Sequence, residues 1–394
     1  MNREVLIGAI ESALPLVNTP GGTENLSILL YYAANEPAKS DPRIVTLVSL
    51  LRAEPELEAF DGYMQVLADS ASRVEHSTLA GWLLRRAQAV GSQQAILDLE
   101  RYLASDRLPC TYTFAIAGIK LLGSCSLGLG IELVPWDSLS SSMKKSIYER
   151  FNVMPPIHLP TAALLRPVIV PKFHVREVDF KVHGFNLQHQ HEELQDALLC
   201  SGLIGPVAAY LLAWWLEPPD WAPINSGGYG SQYQVGFSQA KEWPAGGCEQ
   251  ASQLIAAFRI LREPLKVRLR LAMQRLNSAM RRLTPVDAAI DLGIVFEILF
   301  LQDSSADRSE LTFKLRVRAA RFLETNPKER RRIFGLLGDL YKVRSAAVHT
   351  GKVPEKIKDV PAQDLLDQGF GLAATALTRL ISEGDPDWDQ IILS

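Results

Sequence analysis

The chain has 394 residues, 47% of them hydrophobic and 22% charged, with a net charge of -3. That composition is ordinary for a soluble globular protein of two or three domains. The longest apolar run, Leu203 to Leu216, contains Pro206 and falls short of the roughly 20 residues that span a bilayer. A membrane element is therefore not expected, and the run reads as buried core. Met1 to Gly8 lacks a basic flank followed by an apolar core, so no leader is expected either. Cys110, Cys125, Cys200 and Cys248 are scattered, without a CxxC pair. Free thiols in a cytoplasmic protein are the simplest expectation.

Charge is unevenly placed. Residues 1–252 hold 18 basic against 26 acidic residues, residues 253–352 hold 20 against 10, and residues 353–394 hold 3 against 8. A basic stretch between acidic ones suits an anionic partner, of which nucleic acid is the commonest large one, and equally suits solvated helix faces.

In chain order, residues 1–106 read as helical. Ile44–Leu51, Gly62–Ala71 and one long helix from Ser77 to Leu103 carry apolar residues at helical spacing, with breaks at Pro20-Gly21-Gly22 and from Pro37 to Pro42. The period then changes. Thr111 to Ile116 alternates, and glycines punctuate short apolar runs up to Trp136, the pattern of a small antiparallel sheet. A short helix is expected from Ser138 to Phe151, an extended segment from Pro155 to Pro171, a strand from His174 to Val182 and a helix from Leu187 to Cys200. Beyond Gly246-Gly247 helices follow one another through short connections: Glu249–Arg262, Leu265–Leu283, Val286–Phe300, Glu310–Glu324, Asn326–Gly351 and Ala362–Glu383. Gln302 to Arg308 reads as a polar loop, and Trp388 with Ile391 to Leu393 as an apolar tail that docks back. The fold class is thus mainly α with a smaller β-containing middle region (α+β), closed by a C-terminal antiparallel helical bundle. The regions expected are 1–106, 107–248 and 249–394.

The stretch Asn326 to Gly351 is the most informative. Asn326 caps, Pro327 suits the first helical position, Glu329 suits a capping box and Gly351 suits the stop. Ile333, Leu336, Leu337, Leu340, Tyr341 and Ala347 form its buried stripe. Arg344 and His349 stand near its end with four residues between them. A permanent cation beside the side-chain type that titrates nearest neutrality suits phosphate chemistry; a surface arginine and a dipole-favoured terminal histidine fit as well. Lys328, Arg330, Arg331 and Arg332 place cations in the first turns, where they oppose the helix dipole. Arg316, Arg318 and Arg321 on the preceding helix, and Lys342, add to that field. Elsewhere, His189 and His191 stand two apart in HQHEE, which on a helix points them about 200° apart, so no shared metal is expected. Gly227-Gly228-Tyr229-Gly230 reads as a turn more readily than as a phosphate cradle, and no cofactor is expected.

Residues 253 to 390 resemble the HEPN superfamily, most closely its Apea-like branch. The resemblance rests on Glu297 within DLGIVFEILFL, the basic helix FKLRVRAARFL, the long helix ending RSAAVH, and a final helix with a Trp-containing tail. It covers about a third of the chain, and the segment AIAGIK to LGLGIELVPWDSL looks like regions that precede this domain in related proteins. Many members are metal-independent endoribonucleases of phage defence or toxin–antitoxin systems. The resemblance implies RNA as partner, a homodimer formed through the bundle, and a shared site of Arg344, His349, Glu297 and Ser345. RNA would be held by Lys328, Arg330, Arg331, Arg332, Arg316, Arg318 and Lys342. The chain departs from the pattern at Ser345, where active members often carry Asn, Asp or His. The alternative is a non-catalytic module of the same kind that binds a nucleotide or protein partner. A third reading, a metal-dependent hydrolase at His189 and His191, is weaker.

Overall fold

A computed structural model describes residues 1–17, 22–139, 160–224, 229–231, 240–301 and 311–393. In chain order the elements are α1 (Arg3–Ala13), α2 (Gly22–Asn35), α3 (Pro42–Ala53), β1 (Met64–Leu67), β2 (Ser70–Arg73), α4 (His76–Val90) and α5 (Ser92–Leu103). The strands β3 (Arg107–Ala117), β4 (Ile119–Lys120), β5 (Cys125–Ser126), β6 (Glu132–Pro135) and β7 (Ala162–Val175) follow. Next come α6 (Phe180–His183), α7 (Gln188–Ser201), β8 (Tyr210–Glu217), β9 (Tyr229–Ser231) and β10 (Lys241–Glu242). The helices α8 (Gly247–Arg259), α9 (Glu263–Arg281), α10 (Pro285–Phe300), α11 (Leu311–Leu323) and α12 (Pro327–Thr350) lead to the small hairpin β11 (Lys356–Ile357) and β12 (Val360–Pro361), then α13 (Ala362–Glu383) and α14 (Trp388–Leu393). The protein is mixed α+β and mainly helical. The helix expected from residue 140 to 151, the polar loop from 302 to 308, the break at residues 20–21, and Gly227-Gly228 with residues 232–237 after them lie outside the described residues.

Two compact units emerge, and the chain passes between them within β3, β7, α7, β8 and β9. The first holds residues 1–112, 167–189 and 215–229. Its helices α1 and α3 start on side-chain caps: Asn2 accepts from the Val5 N–H and Asp41 from the Arg43 N–H, with Pro42 in the first turn of α3. Leu6, Ile10, Ile44, Leu47, Leu51, Leu83 and Leu99 form its core. The long helix expected from Ser77 to Leu103 is two helices, because Gly91 takes φ +88° and ends α4. Gly62 to Ala71, expected helical, is instead a strand and a tight turn. Met64 pairs with Arg73 of β2 on one side and with Val175 of β7 on the other. In so short a segment apolar spacing does not separate helix from strand, and pairing with a distant strand decides it. The strand expected over His174 to Val182 stops at Val175. Asp179 then caps α6 by accepting from the Lys181 N–H.

The second unit holds residues 113–166, 190–214 and 230–394. In it β6 pairs antiparallel with β5 and with the start of β7, Glu132 standing opposite Leu165, while β4 runs parallel to β10. The expected core segment 203–216 is buried along most of its length, its second half as β8. Cys125 and Cys248 form a disulfide, Cα atoms 5.9 Å apart, across 123 residues of sequence. This corrects the expectation of four free thiols: residues so far apart in sequence meet only once β5 lies beside the start of α8. Cys110 and Cys200 are buried thiols.

The helices from α8 onward pack as a bundle in which α10 contacts α9, α11, α12 and α13. Thr284 caps α10, accepting from the Asp287 N–H at 3.1 Å. Asn326 caps α12 through the Lys328 N–H at 2.8 Å, and Gly351 ends it in the left-handed conformation, as the residues prescribe. Gly369 of α13 is where three helices close: a Cβ there would stand 2.7 Å from Leu292 and 2.9 Å from Leu340. Trp388 packs on Phe300 and Phe322, ring centroids 5.7 Å from each, so the apolar tail does dock on the bundle. Among the described residues no helix is long and apolar enough to cross a membrane.

Candidate functional site

Two helices of the second unit build the site. The buried stripe of α12 (Ile333, Leu336, Leu337, Leu340, Val343 and Ala347) presses into the bundle. Arg344 leaves that helix beside the stripe, and its aliphatic stem lies on Gly293 of α10. A Cβ at Gly293 would stand 2.3 Å from Arg344 Cδ and 2.6 Å from its Nε. Four residues on, and so on the same face of α10, Glu297 receives the guanidinium: Arg344 Nη2 is 3.0 Å from Glu297 Oε1. The guanidinium carbon lies 5.7 Å from the ring centre of Tyr341. Arg344 is 23% exposed and Glu297 37%, so the pair sits at the protein surface with a dry floor. A cavity of about 20 Å³, lined largely by Leu292, Phe296, Leu337 and Leu340, lies under it. Arg344 Nε is buried and has no acceptor among the described residues, which leaves one donor of the fork uncommitted.

His349 is exposed in the last turn of α12. The helix does not end between the two residues but continues through Thr350. At 3.6 residues per turn their directions differ by about 140°, so one chain does not bring Arg344 and His349 face to face. Ser345 is half-buried beside Arg344 and Val348 is 52% exposed beside His349.

The cations divide into two groups. Lys328, Arg331, Arg332 and Lys342 are exposed; Arg332 bridges Glu329 at 2.7 Å and Lys342 bridges Asp339 at 3.1 Å, contacts of small energetic weight. The others bind the protein itself. Arg330 Nε donates to the Glu324 carbonyl at 2.7 Å. Arg316 Nε donates to the Phe334 carbonyl at 2.9 Å, and its guanidinium stacks 3.7 Å over the Phe334 ring. Arg318 is corrected outright: it is 1% exposed, donates to the Phe300 carbonyl at 2.9 Å and faces the Trp388 ring. Buried at that position, it holds core elements together and does not present its guanidinium at the surface. Sequence proximity to Arg316 suggested a shared face, but two positions along a helix point in nearly opposite directions.

His191 stands between aromatic rings, centroids 4.8 Å from Phe114 and 5.1 Å from Trp214, and shares a hydrogen bond with Gln195 at 2.9 Å. Burial lowers its pKa below the ordinary histidine value. Among the described residues, no three or more His, Cys, Asp or Glu gather as a metal-binding group.

Gly293 was missed from sequence. Its signal is present: a lone glycine in the apolar helix DLGIVFEILF costs about 1 kcal/mol relative to alanine, which points to a close approach that needs it. What it approaches is decided by α12. Protein-family models, curated proteins and solved structures give no match to this chain.

Proposed function

We propose that the C-terminal bundle is a metal-independent endoribonuclease of HEPN type, acting as a homodimer in the cytoplasm, with RNA cleavage in phage defence or toxin–antitoxin biology as its setting. The observation that carries this reading is the Glu297–Arg344 pair seated on Gly293 at the end of a basic helix that also bears His349. In this reading the RNA 2′-hydroxyl attacks the adjacent phosphorus, the 5′-oxygen leaves, and the product carries a 2′,3′-cyclic phosphate. His349 takes or gives the proton. Arg344, oriented by Glu297, donates from its fork to the phosphoryl oxygens as charge develops. Because the two side chains diverge on one helix, the complete site needs His349 of one copy near Arg344 of another, which a two-fold interface supplies. Lys328, Arg331, Arg332 and Lys342 then track the phosphate backbone.

A second reading has its own support. Ser345 does not titrate at neutral pH, and Glu297 already occupies part of the Arg344 fork, as in a module that binds a nucleotide or a protein without cleaving. Incubation of the full chain with total RNA in EDTA separates the two. Cleavage that survives chelation, leaves cyclic phosphate ends and disappears in His349→Ala supports the nuclease. Intact RNA at every concentration and RNA class tried sinks it in favour of the binding module. In a reducing cytoplasm the Cys125–Cys248 bridge is open to reduction, and intact-mass analysis of freshly lysed cells reads its state directly.

A further inference from the structure

An open groove with a polar lining, of about 280 Å³, lies in the first unit between α2 and α4. Gly81 sets its floor. A Cβ at that position would stand 2.6 Å from Leu30 Cδ1, and 3.4 Å from Nη1 of Arg85. Arg85 thus reaches back one turn toward the start of α4, as helical side chains do, and lays its guanidinium over Gly81. Ser27 and Asn35 line the groove from α2, and Thr78 lines it from α4. Tyr31, 60% exposed, stands at its mouth.

Arg85 differs from three arginines on the helices of this unit that are held by carboxylates. Arg3 meets Glu100 at 2.5 Å, Arg43 meets Asp41 at 2.9 Å and Arg86 meets Asp98 at 2.7 Å. Arg85 has no hydrogen bond or ion pair among the described residues, although it is half-buried. Burial alone moves its pKa, downward. A half-buried guanidinium without a protein acceptor keeps its fork of donors available to a ligand. The exposed hydroxyls of Ser27 and Thr78 border the same space, so a ligand held by Arg85 would lie within their reach. The carboxylate present, Glu75, is exposed and accepts from Ser77 Oγ at 3.3 Å. Its charge disfavours a polyanion and favours a ligand with one anionic group.

We propose that this groove is a binding site for a small molecule bearing a single carboxylate or phosphate group, clasped by the Arg85 fork with Thr78 and Ser27, its body resting against Tyr31. Planar bidentate recognition of either oxyanion is what arginine offers over lysine. The two sources differ at Glu75: an amino acid adds an ammonium that pairs with it, whereas a phosphate monoester does not.

The test is calorimetric titration of the full chain with three probes: inorganic phosphate, adenosine 5′-monophosphate and L-phenylalanine. Saturable one-site binding of at least one probe is expected, weakened tenfold or more in Arg85→Gln and abolished by Ala34→Leu, which fills the groove. Weakening of L-phenylalanine by Glu75→Gln identifies the carboxylate source; tighter binding of the phosphates in the same variant, with no effect on L-phenylalanine, identifies phosphate. A thermal melt without ligand is independent of the probe chosen. Arg85→Met should leave Tm unchanged or raise it, since it removes a half-buried cation that has no ion pair among the described residues. The proposal is overturned by absence of saturable binding for all three probes, by undiminished binding in Arg85→Gln, or by a lower Tm in Arg85→Met. None of these readouts involves RNA, so they stand or fall apart from the nuclease reading.

Discussion

Gly293→Ala isolates the position of Arg344 without removing either charge of the pair. The added methyl would lie 2.3 Å from Arg344 Cδ, 2.6 Å from Nε and 3.1 Å from Cγ, so the whole stem must move and not merely the guanidinium tip. Three terms set the stability change. Alanine gains about 1 kcal/mol over glycine inside a helix. Losing the Glu297 bridge costs about 0–1 kcal/mol, since both partners are partly solvated. Crowding costs about 1–3 kcal/mol if Arg344 stays and much less if it swings outward. The net change is then within about 1 kcal/mol, read from the denaturant midpoint. Activity is another matter: a displacement of the order of 1 Å in a positioning group can cost about 10²-fold. On the nuclease reading proposed above, Gly293→Ala should fold with nearly wild-type stability and lose about 10²-fold in RNA cleavage measured in EDTA. A double-mutant cycle checks the cause. If alanine has already broken the bridge, adding Glu297→Gln changes neither stability nor rate further. Full activity in Gly293→Ala, or additive losses in the double mutant, would refute the claim that Arg344 works from this seat.

Four further outcomes are expected. Arg318→Ala should destabilise by about 2–4 kcal/mol in chemical denaturation, because it removes a buried side chain and orphans the Phe300 carbonyl. Arg331→Ala should stay within about 0.5 kcal/mol of wild type yet lower the salt slope of RNA binding by about one; equal behaviour of the two variants would contradict the division of the arginines. Replacing Cys125 and Cys248 by serine should cost about 2–4 kcal/mol, through a larger unfolded-state entropy. His174 sits against Phe60 and Tyr102, and its pKa is lowered to about 4 by burial first and by the Lys172 charge second. Its folded pKa lies below the unfolded value of 6.5, so its stabilising contribution is complete above pH 6.5 and is lost as pH falls toward 4. The half-buried setting limits the loss to about 1–3 kcal/mol, and a His174→Gln variant with an unchanged acid slope would contradict it.

The helical parts were the most legible. Asn326, Pro327 and Gly351 mark both ends of α12 from local chemistry alone, and the stripe from Ile333 to Ala347 faces inward as its spacing requires. Thr284 and Pro285 likewise mark the start of α10. Legibility failed where distant residues decide. Gly62 to Ala71 carried a helical spacing but pairs with Arg73 and Val175 as a strand. His174 to Val182 carried an alternating pattern but is cut short by the Asp179 cap.

The candidate site divides in the same way. Composition and spacing alone determined that helices follow one another beyond Gly247, that the basic excess falls within residues 253–352, and that Arg344 and His349 share the end of one helix. These follow from periodicity, capping and charge, which act within a few residues of the chain. Only the tertiary structure decided that Glu297 meets Arg344, that Gly293 makes room for it, that Arg318 is core while Arg331 is surface, and that Cys125 finds Cys248. Each of those depends on which side of one element faces another, and that is set by packing between segments far apart in sequence.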